Sequence, residues 1–268
     1  MTSSRSPSSA RTALTLPVTD ASPRALGVET VLVLGVSLGA SAIWSVLSII
    51  RKLTADASLA AQTTAMNTTV TPDRPWLDLA YQLAGIGIGV IPAILAVHLL
   101  LRDDPDAARL IGADLRRPVA DLARGALLAA VIGIPGLGLY LAARELGLNT
   151  TVSAAGLQAV WWAVPVLVLA ALKNAILEEV VMVGYLFTRW SQAGWSFWTI
   201  ALVSALIRGT YHLYQGFGGF VGNVAMGLIV ALAYKRWGRV GPLVVAHTVL
   251  DVVAFVGYAL LSGHVSWL

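Results

Sequence analysis

The chain has 268 residues, 57% of them hydrophobic and 12% charged, with a mean hydropathy of +0.77. An ordinary soluble domain carries about twice that share of charge, roughly a quarter of its residues, so a water-soluble globule is excluded and a polytopic membrane protein is indicated. Cysteine is absent, which excludes disulfide scaffolds, thiolate metal sites and cysteine nucleophiles. The net charge of +4 comes without any basic run interleaved with aromatics, so nucleic acid is not an expected partner.

In chain order, residues 1–26 are rich in Ser, Thr, Pro and Arg and read as a disordered N-terminus. Residues 27–268 read as a single membrane domain with an all-α fold, a transmembrane helical bundle. A helix needs about 20 mostly apolar residues to cross the hydrocarbon core. Charge-poor stretches of that size fall at about 28–50, 78–101, 123–143, 157–188, 195–214, 217–235 and 240–262. The fourth is too long for one crossing and is expected to tilt, to extend beyond the bilayer, or to break near Lys173–Asn174. The count is therefore seven to eight spans. Seven spans with a cytoplasmic N-terminus put most Lys and Arg inside, leaving Arg51, Lys52, Arg74 and Arg144 outside and Lys173 and Arg208 within the membrane. The mixed segment Arg102–Arg124 reads as an inner loop with a short interfacial helix. Trp161, Trp162, Trp190, Trp195 and Trp198 read as interfacial anchors.

The acids carry the sharpest signal. Of 14 Asp and Glu residues, only Glu178, Glu179 and Asp251 follow Glu145, and all three fall in predicted spans. An ionisable side chain at membrane depth costs at least about 2.5–3.5 kcal/mol and is a functional candidate by default. Arg208, His212 and His247 lie at similar depth in the same half. His247 and Asp251 are four residues apart, as are Arg208 and His212, so each pair shares a helix face. Glu178 and Glu179 point about 100° apart, so one can face a reacting centre while the other pairs with a cation, for which Arg208 is the candidate. His98 and His264 have no acidic companion within a turn and read as structural.

Glu beside two His in a water-accessible intramembrane cavity can activate water. The carboxylate serves as general base, the imidazoles as donors to an oxyanion, and Asp251 as the group that orients His247. The same side chains can ligate a divalent metal such as zinc, in which case Glu178, His212 and His247 are the ligands. The patterns of other membrane proteases are missing: there is no H-E-x-x-H and no G-x-S-x-G, and a pair of intramembrane aspartates is not available.

Three segments resemble the motifs of the CPBP family of membrane proteases, which includes CAAX-processing and bacteriocin-processing members and is also called Abi. The family pattern E-E-x-x-x-R corresponds to Glu178-Glu179-Val-Val-Met-Val183, F-x-x-x-H to Arg208-Gly-Thr-Tyr-His212, and H-x-x-x-N/D to His247-Thr-Val-Leu-Asp251. The resemblance covers about 174–255 and places a catalytic core at about 155–262. It implies an intramembrane endopeptidase of a bacterial plasma membrane acting on a membrane-embedded or membrane-tethered peptide. Glu178 is then the water-activating base, Glu179 its electrostatic neighbour, His212 and His247 the oxyanion stabilisers, and Asp251 the orienting group. Two positions depart from the pattern: Val183 stands where the motif has Arg, and Arg208 where it has Phe. An Arg reaching in from the next span can replace the cation lost from the Glu helix, provided its guanidinium lies near the glutamates.

Two other functions fit the composition. A proton- or ion-coupled transporter would use Glu, His and Asp as a relay, but the ionisable groups here all lie in one half, without the repeat expected of many transporters. A non-catalytic scaffold or immunity relative is the other, kept open by the missing motif Arg. The turn holding Tyr211, Tyr214, Gln215, Gly216, Gly218 and Gly219 reads as a tight connection between spans.

Overall fold

The computed structural model describes residues 17–262 and His264. The expectation of disorder for 1–26 therefore lies, for residues 1–16, outside the described residues. From Pro17 onward the chain is placed, and the first helix, α1 (Pro23–Gly35), starts inside the expected tail. Ser22 caps it by accepting from the Ala25 amide, and Pro23 fills the first-turn position where no amide hydrogen is needed. After a bend of 55° at Val36–Ser37 the chain continues as α2 (Leu38–Leu53).

The remaining helices are α3 (Pro75–Asp103), α4 (Ala107–Leu110), α5 (Pro118–Glu145), α6 (Ala163–Glu179), α7 (Leu186–Gln192), α8 (Phe197–His212), α9 (Phe217–Trp237) and α10 (Gly241–Leu261). α3 and α5 contain Pro92 and Pro135, a substitution that spanning helices tolerate. α4 is the short helix expected in the segment Arg102–Arg124.

Among the described residues, α3, α5, α9 and α10 are each long and apolar enough to cross a membrane, and the bent pair α1–α2 makes a fifth if taken as one span. This is fewer than the seven to eight expected. The shortfall has a geometric cause. α6 and α8 have 17 and 16 residues, just short of a full crossing as separate straight helices. The long fourth stretch does not break at Lys173–Asn174, since α6 runs through both. Its irregularity comes later, as a π-helical segment at Val180–Tyr185 that joins α6 to α7.

The bundle is dressed for lipid. Large apolar side chains stand exposed along the outward faces, among them Trp44, Ile88, Ile134 and Val253. Small residues fill the seams between helices, with Ala96, Ala171, Ala175, Ala205 and Ala246 essentially inaccessible. Close helix approach through small residues is how spanning helices pack when no hydrophobic drive separates protein from lipid. Apolar outside and charged inside is the reverse of a soluble domain, and it marks an integral membrane protein.

Loops fold over both ends. At the end that the orientation rule calls outer, β1 (Thr63–Ala65) and β2 (Thr151–Ser153) form a two-stranded parallel sheet in the register Thr63↔Thr151, Thr64↔Val152 and Ala65↔Ser153. Lys52, expected on the outer surface, is instead buried there and donates to Thr64 Oγ1 and the Tyr214 carbonyl. Gly216, at φ +121, presses its backbone against Asn149, where a Cβ would stand 2.6 Å from the Asn149 Oδ1. At the other end Arg239, in the α9–α10 turn, binds Asp121 Oδ2 at 2.7 Å and Asp114 Oδ1 at 2.9 Å. Close by, the wholly buried Arg189 of α7 binds Glu29 Oε1 and Asp103 Oδ2, each at 2.8 Å.

Candidate active site

α6 delivers Glu178 and Glu179 at its last turn, immediately before the π segment. Such a segment holds one extra residue per turn and so resets the angular phase of everything beyond it. Both adjacent carboxylates are buried at the end of α6, and the re-phased run after them, Val180 to Tyr185, packs entirely in the core. Ser204 of α8 donates to the Met182 carbonyl at 2.9 Å, and Thr188 to the Gly184 carbonyl at 2.7 Å, which gives carbonyls of the irregular turn partners.

α8 supplies the cation. Arg208 Nη1 lies 3.2 Å from Glu178 Oε2 and 2.9 Å from Glu179 Oε1, with the guanidinium 1% and Glu179 0% exposed. The substitution pattern noted in the sequence, Val183 for Arg and Arg208 for Phe, thus leaves a guanidinium on both carboxylates, reached from the neighbouring helix. α8 packs tightly enough to hold it: a Cβ on Gly227 of α9 would stand 2.9 Å from Ala205 Cα. Three residues on, Tyr211 donates its hydroxyl to Glu178 Oε2 at 2.7 Å. The sequence offered one sign of that role, the i,i+3 spacing from Arg208, but the side chain read as part of a turn.

α10 supplies His247, one residue after a wholly buried Ala246. Its Nδ1 donates to Glu179 Oε1 at 2.7 Å, and its Nε2 lies 4.0 Å from Glu178 Oε2 and 3.7 Å from Asp251 Oδ1. The hydrogen bond that orients His247 therefore comes from Glu179, where the sequence assigned orientation to Asp251. Asp251 is itself held by Asn174 of α6, whose amide donates to Oδ2 at 3.1 Å. His212 closes α8, and its Nδ1 donates to the Arg208 carbonyl at 3.1 Å. Its ring packs against Tyr211 with centroids 4.7 Å apart. Glu178, Glu179, Arg208, Tyr211 and His247 thus form one hydrogen-bonded, buried cluster, with His212 and Asp251 at its margins.

Two buried polar atoms in the cluster, Glu179 Oε2 and Arg208 Nη2, have no hydrogen-bond partner among the described residues. Buried polar groups in proteins are nearly always paired, with protein or with water. An acceptor and a donor left open at the centre are what a bound water or a substrate amide would use.

The residues that approach a metal-ligand geometry are Glu178, Glu179 and His247, with one ligand atom each inside 4.8 Å of the others. This is not the set expected from the sequence, which had His212 in place of Glu179. The arrangement fits a divalent cation poorly. Arg208 already brings a fixed positive charge within 3.2 Å of both carboxylates, and Glu179 Oε1 is engaged by both Arg208 and His247.

A buried carboxylate–imidazole–guanidinium cluster inside an apolar helical bundle defines a membrane-embedded protein with the equipment of a hydrolase. Residues 160–253 match the family model described as type II CAAX prenyl endopeptidase Rce1-like, in keeping with the resemblance of the motifs to CAAX proteases. The match spans all three motifs, and the family it describes is one of endopeptidases. No curated protein and no solved structure matches the chain.

Proposed function

We propose that the protein is an intramembrane endopeptidase of the glutamate type, hydrolysing a peptide bond of a membrane-embedded or membrane-tethered substrate. The observation that carries this reading is the convergence of Tyr211 and Arg208 on one oxygen of Glu178. Both donate to Oε2, and among the described residues no group donates to Oε1. A carboxylate fixed through one oxygen presents the other to a water molecule in a defined direction, the geometry a general base requires.

In the proposed reaction, Glu178 Oε1 takes a proton as the water oxygen bonds to the scissile carbonyl carbon. The carbonyl oxygen becomes an oxyanion that accepts from Arg208 Nη2 and from the Nε2 hydrogens of His247 and His212. Both imidazoles commit their Nδ1 hydrogen elsewhere, to Glu179 and to the Arg208 carbonyl. Donation from Nε2 therefore requires the doubly protonated rings. Glu178 then passes its proton to the departing nitrogen as the carbon–nitrogen bond breaks. Glu179 holds His247 and shares Arg208, and Asp251 lies beside His247 Nε2.

The reading extends to the fold. α1–α2, α3, α5, the joined α6–α7, α8, α9 and α10 make seven crossings with a cytoplasmic N-terminus. Residues 27–268 form one domain in a bacterial plasma membrane, with the catalytic core at about 155–262. No step needs a metal, because Arg208 supplies the positive charge a metal would bring.

A cleavage assay on membrane peptides tests both parts. Glu178→Gln is expected to abolish cleavage, and a strong chelator to leave it within twofold. Loss of activity with the chelator, restored by zinc, would overturn the metal-free mechanism. Cleavage at the wild-type rate by Glu178→Gln would overturn the assignment of the base.

A further inference from the structure

Lys52, in the last turn of α2, is a buried ammonium, 7% exposed, that pairs with no carboxylate among the described residues. A buried charge is costly unless hydrogen bonds satisfy it, so its acceptors define its role. They are the Thr64 hydroxyl and the Tyr214 carbonyl. Tyr214 belongs to the single turn Leu213–Gln215 that follows α8 immediately after His212. The last carbonyls of a helix have no partner within it and carry the negative end of its dipole, so a cation there is stabilising. Lys52 thus caps, from α2, the helix that carries Arg208, Tyr211 and His212.

The hold on that turn is shared by a chain of donors. The Thr150 hydroxyl gives its hydrogen to the Gln215 carbonyl at 3.0 Å, so Thr64 is the donor across the 2.6 Å contact between the two threonine hydroxyls. The order runs from Lys52 to Thr64 to Thr150 to the Gln215 carbonyl, each bond polarising the next. The Tyr214 amide donates to Ser45 Oγ of α2 at 2.7 Å. Both backbone groups of Tyr214 are therefore held by α2. Ser45, Lys52, Thr64 and Thr150 all precede the matched stretch 160–253.

His212 depends on that turn. Among the described residues its ring makes one hydrogen bond, from Nδ1 to the Arg208 carbonyl of its own helix at 3.1 Å. Its aromatic contacts are Tyr211, with centroids 4.7 Å apart, and Tyr214, with centroids 6.4 Å apart and planes within 21°. A ring tethered to its own helix end, and stacked on the tyrosine two residues later, moves with the turn that follows it. We propose that Lys52 is a positioning residue for His212, setting the place of the imidazole by locking the Tyr214 backbone. The inference rests on the peptidase reading for the task of His212 at the oxyanion. A misplacement of about 1 Å can cost on the order of a hundredfold in rate.

The test uses the full-length protein in nanodiscs with isotope-labelled histidines, read by NMR, beside the cleavage assay on membrane peptides. His212→Gln assigns the His212 ring resonance among the four histidines of the chain. Lys52→Met keeps an unbranched stem without the ammonium. It is expected to displace the His212 resonance and to leave that of His247 in place. In the assay kcat is expected to fall at least about tenfold, with KM within about twofold, because Lys52 acts through the ring and touches no substrate. Ser45→Ala frees only the Tyr214 amide, so it is the milder variant should Lys52→Met fail to fold, and a smaller displacement of the same resonance is expected. Arg239→Met strands Asp114 and Asp121 at the other end of the bundle. It is expected to lower the thermal midpoint and leave the His212 resonance unmoved.

A His212 resonance unmoved by both the Lys52 and Ser45 variants overturns the proposal. So does an equal displacement in Arg239→Met, the mark of general loosening. A displaced ring with unchanged kcat, or a loss expressed in KM alone, overturns the role of Lys52 in the reaction and leaves the peptidase reading standing. A His212 resonance that moves as expected, in a protein whose wild type turns over no peptide, overturns the peptidase reading and leaves the Lys52 lock on the ring standing.

Discussion

Replacing Arg208 by Met keeps an unbranched stem and removes the charge that Glu178 and Glu179 share. In the folded protein Nη1 is 3.2 Å from one carboxylate and 2.9 Å from the other, and Arg208 and Glu179 are essentially inaccessible to solvent. Removing one partner of a buried ion pair costs about 3–5 kcal/mol, because the remaining charge stays desolvated. Here two carboxylates are stranded together, so Arg208→Met is expected at the upper end of that range. Glu179→Gln alone is milder, since the amide oxygen still accepts from His247. In the double variant only one carboxylate lacks its counter-charge, so the two effects must not add. A coupling of about 1–3 kcal/mol is expected, in the sense that Glu179→Gln offsets part of the Arg208→Met loss. Equilibrium unfolding of the four proteins in mixed micelles measures this directly. Additivity within about 0.5 kcal/mol would show that Arg208 is not the counter-charge of Glu179, and the account of the Val183 and Arg208 departures would fall with it.

Tyr211→Phe removes the one hydroxyl that donates to Glu178 among the described residues, and a bond to a charged acceptor is worth about 1.5–3 kcal/mol. Turnover is therefore expected to drop at least tenfold with KM little changed, and an unaltered kcat would contradict the role given to Oε2. Gly209 packs α8 on α9, where a Cβ would meet Val224 Cγ2 at 2.5 Å and the Phe220 carbonyl at 2.9 Å. Gly209→Ala is expected to lower stability by about 1–3 kcal/mol through overpacking, read as a drop in thermal midpoint. At the end of the bundle that holds Arg239, burial works against the Asp114 carboxylate, but hydrogen bonds from Arg239 and the Arg116 amide, with the charges of both arginines, outweigh it and hold the group below its ordinary value. A depressed carboxylate stabilises the fold above its unfolded value, near 3.9, and that contribution is lost as pH falls through the folded value. The acid limb of a stability–pH curve is thus expected to flatten in Asp114→Asn, and an unchanged limb would remove Asp114 from the clasp.

Much of this was legible because a membrane makes charge expensive. Glu178, Glu179, Arg208, His247 and Asp251 stood out by being where charge is costly, and i,i+4 spacing placed His247 with Asp251 before any fold was known. What stayed hidden depends on contacts between segments distant in sequence. Arg189 counted as one more inner-loop cation, yet it is fully buried between Glu29 and Asp103, residues 160 and 86 positions away. The sheet of β1 and β2 is three residues per strand, too short for any alternation to announce it. The π segment was equally silent, since Val180–Tyr185 is as apolar as the helix before it. Its effect was the larger one, because a phase break after Glu179 resets how the chain beyond both acids packs into the core.

The pairing of His247 shows why spacing alone misassigns roles. Asp251 is one helical turn from His247 on the same face, so sequence makes it the natural partner. In a helix, though, the i,i+4 neighbour lies alongside the ring, and it reaches Nε2 only at 3.7 Å. A carboxylate arriving from the opposing helix can meet Nδ1 head-on, and Glu179 does so at 2.7 Å. The same logic governs the cation. A guanidinium at position 183 would have approached the acids along their own helix, whereas Arg208 crosses from α8 and touches both. Within a bundle, the groups that set orientation are those whose side chains cross the seam between helices, and linear spacing is blind to that direction. The face a motif residue shares with its neighbours is thus read from sequence, and the partner that fixes its hydrogen bond is read from packing.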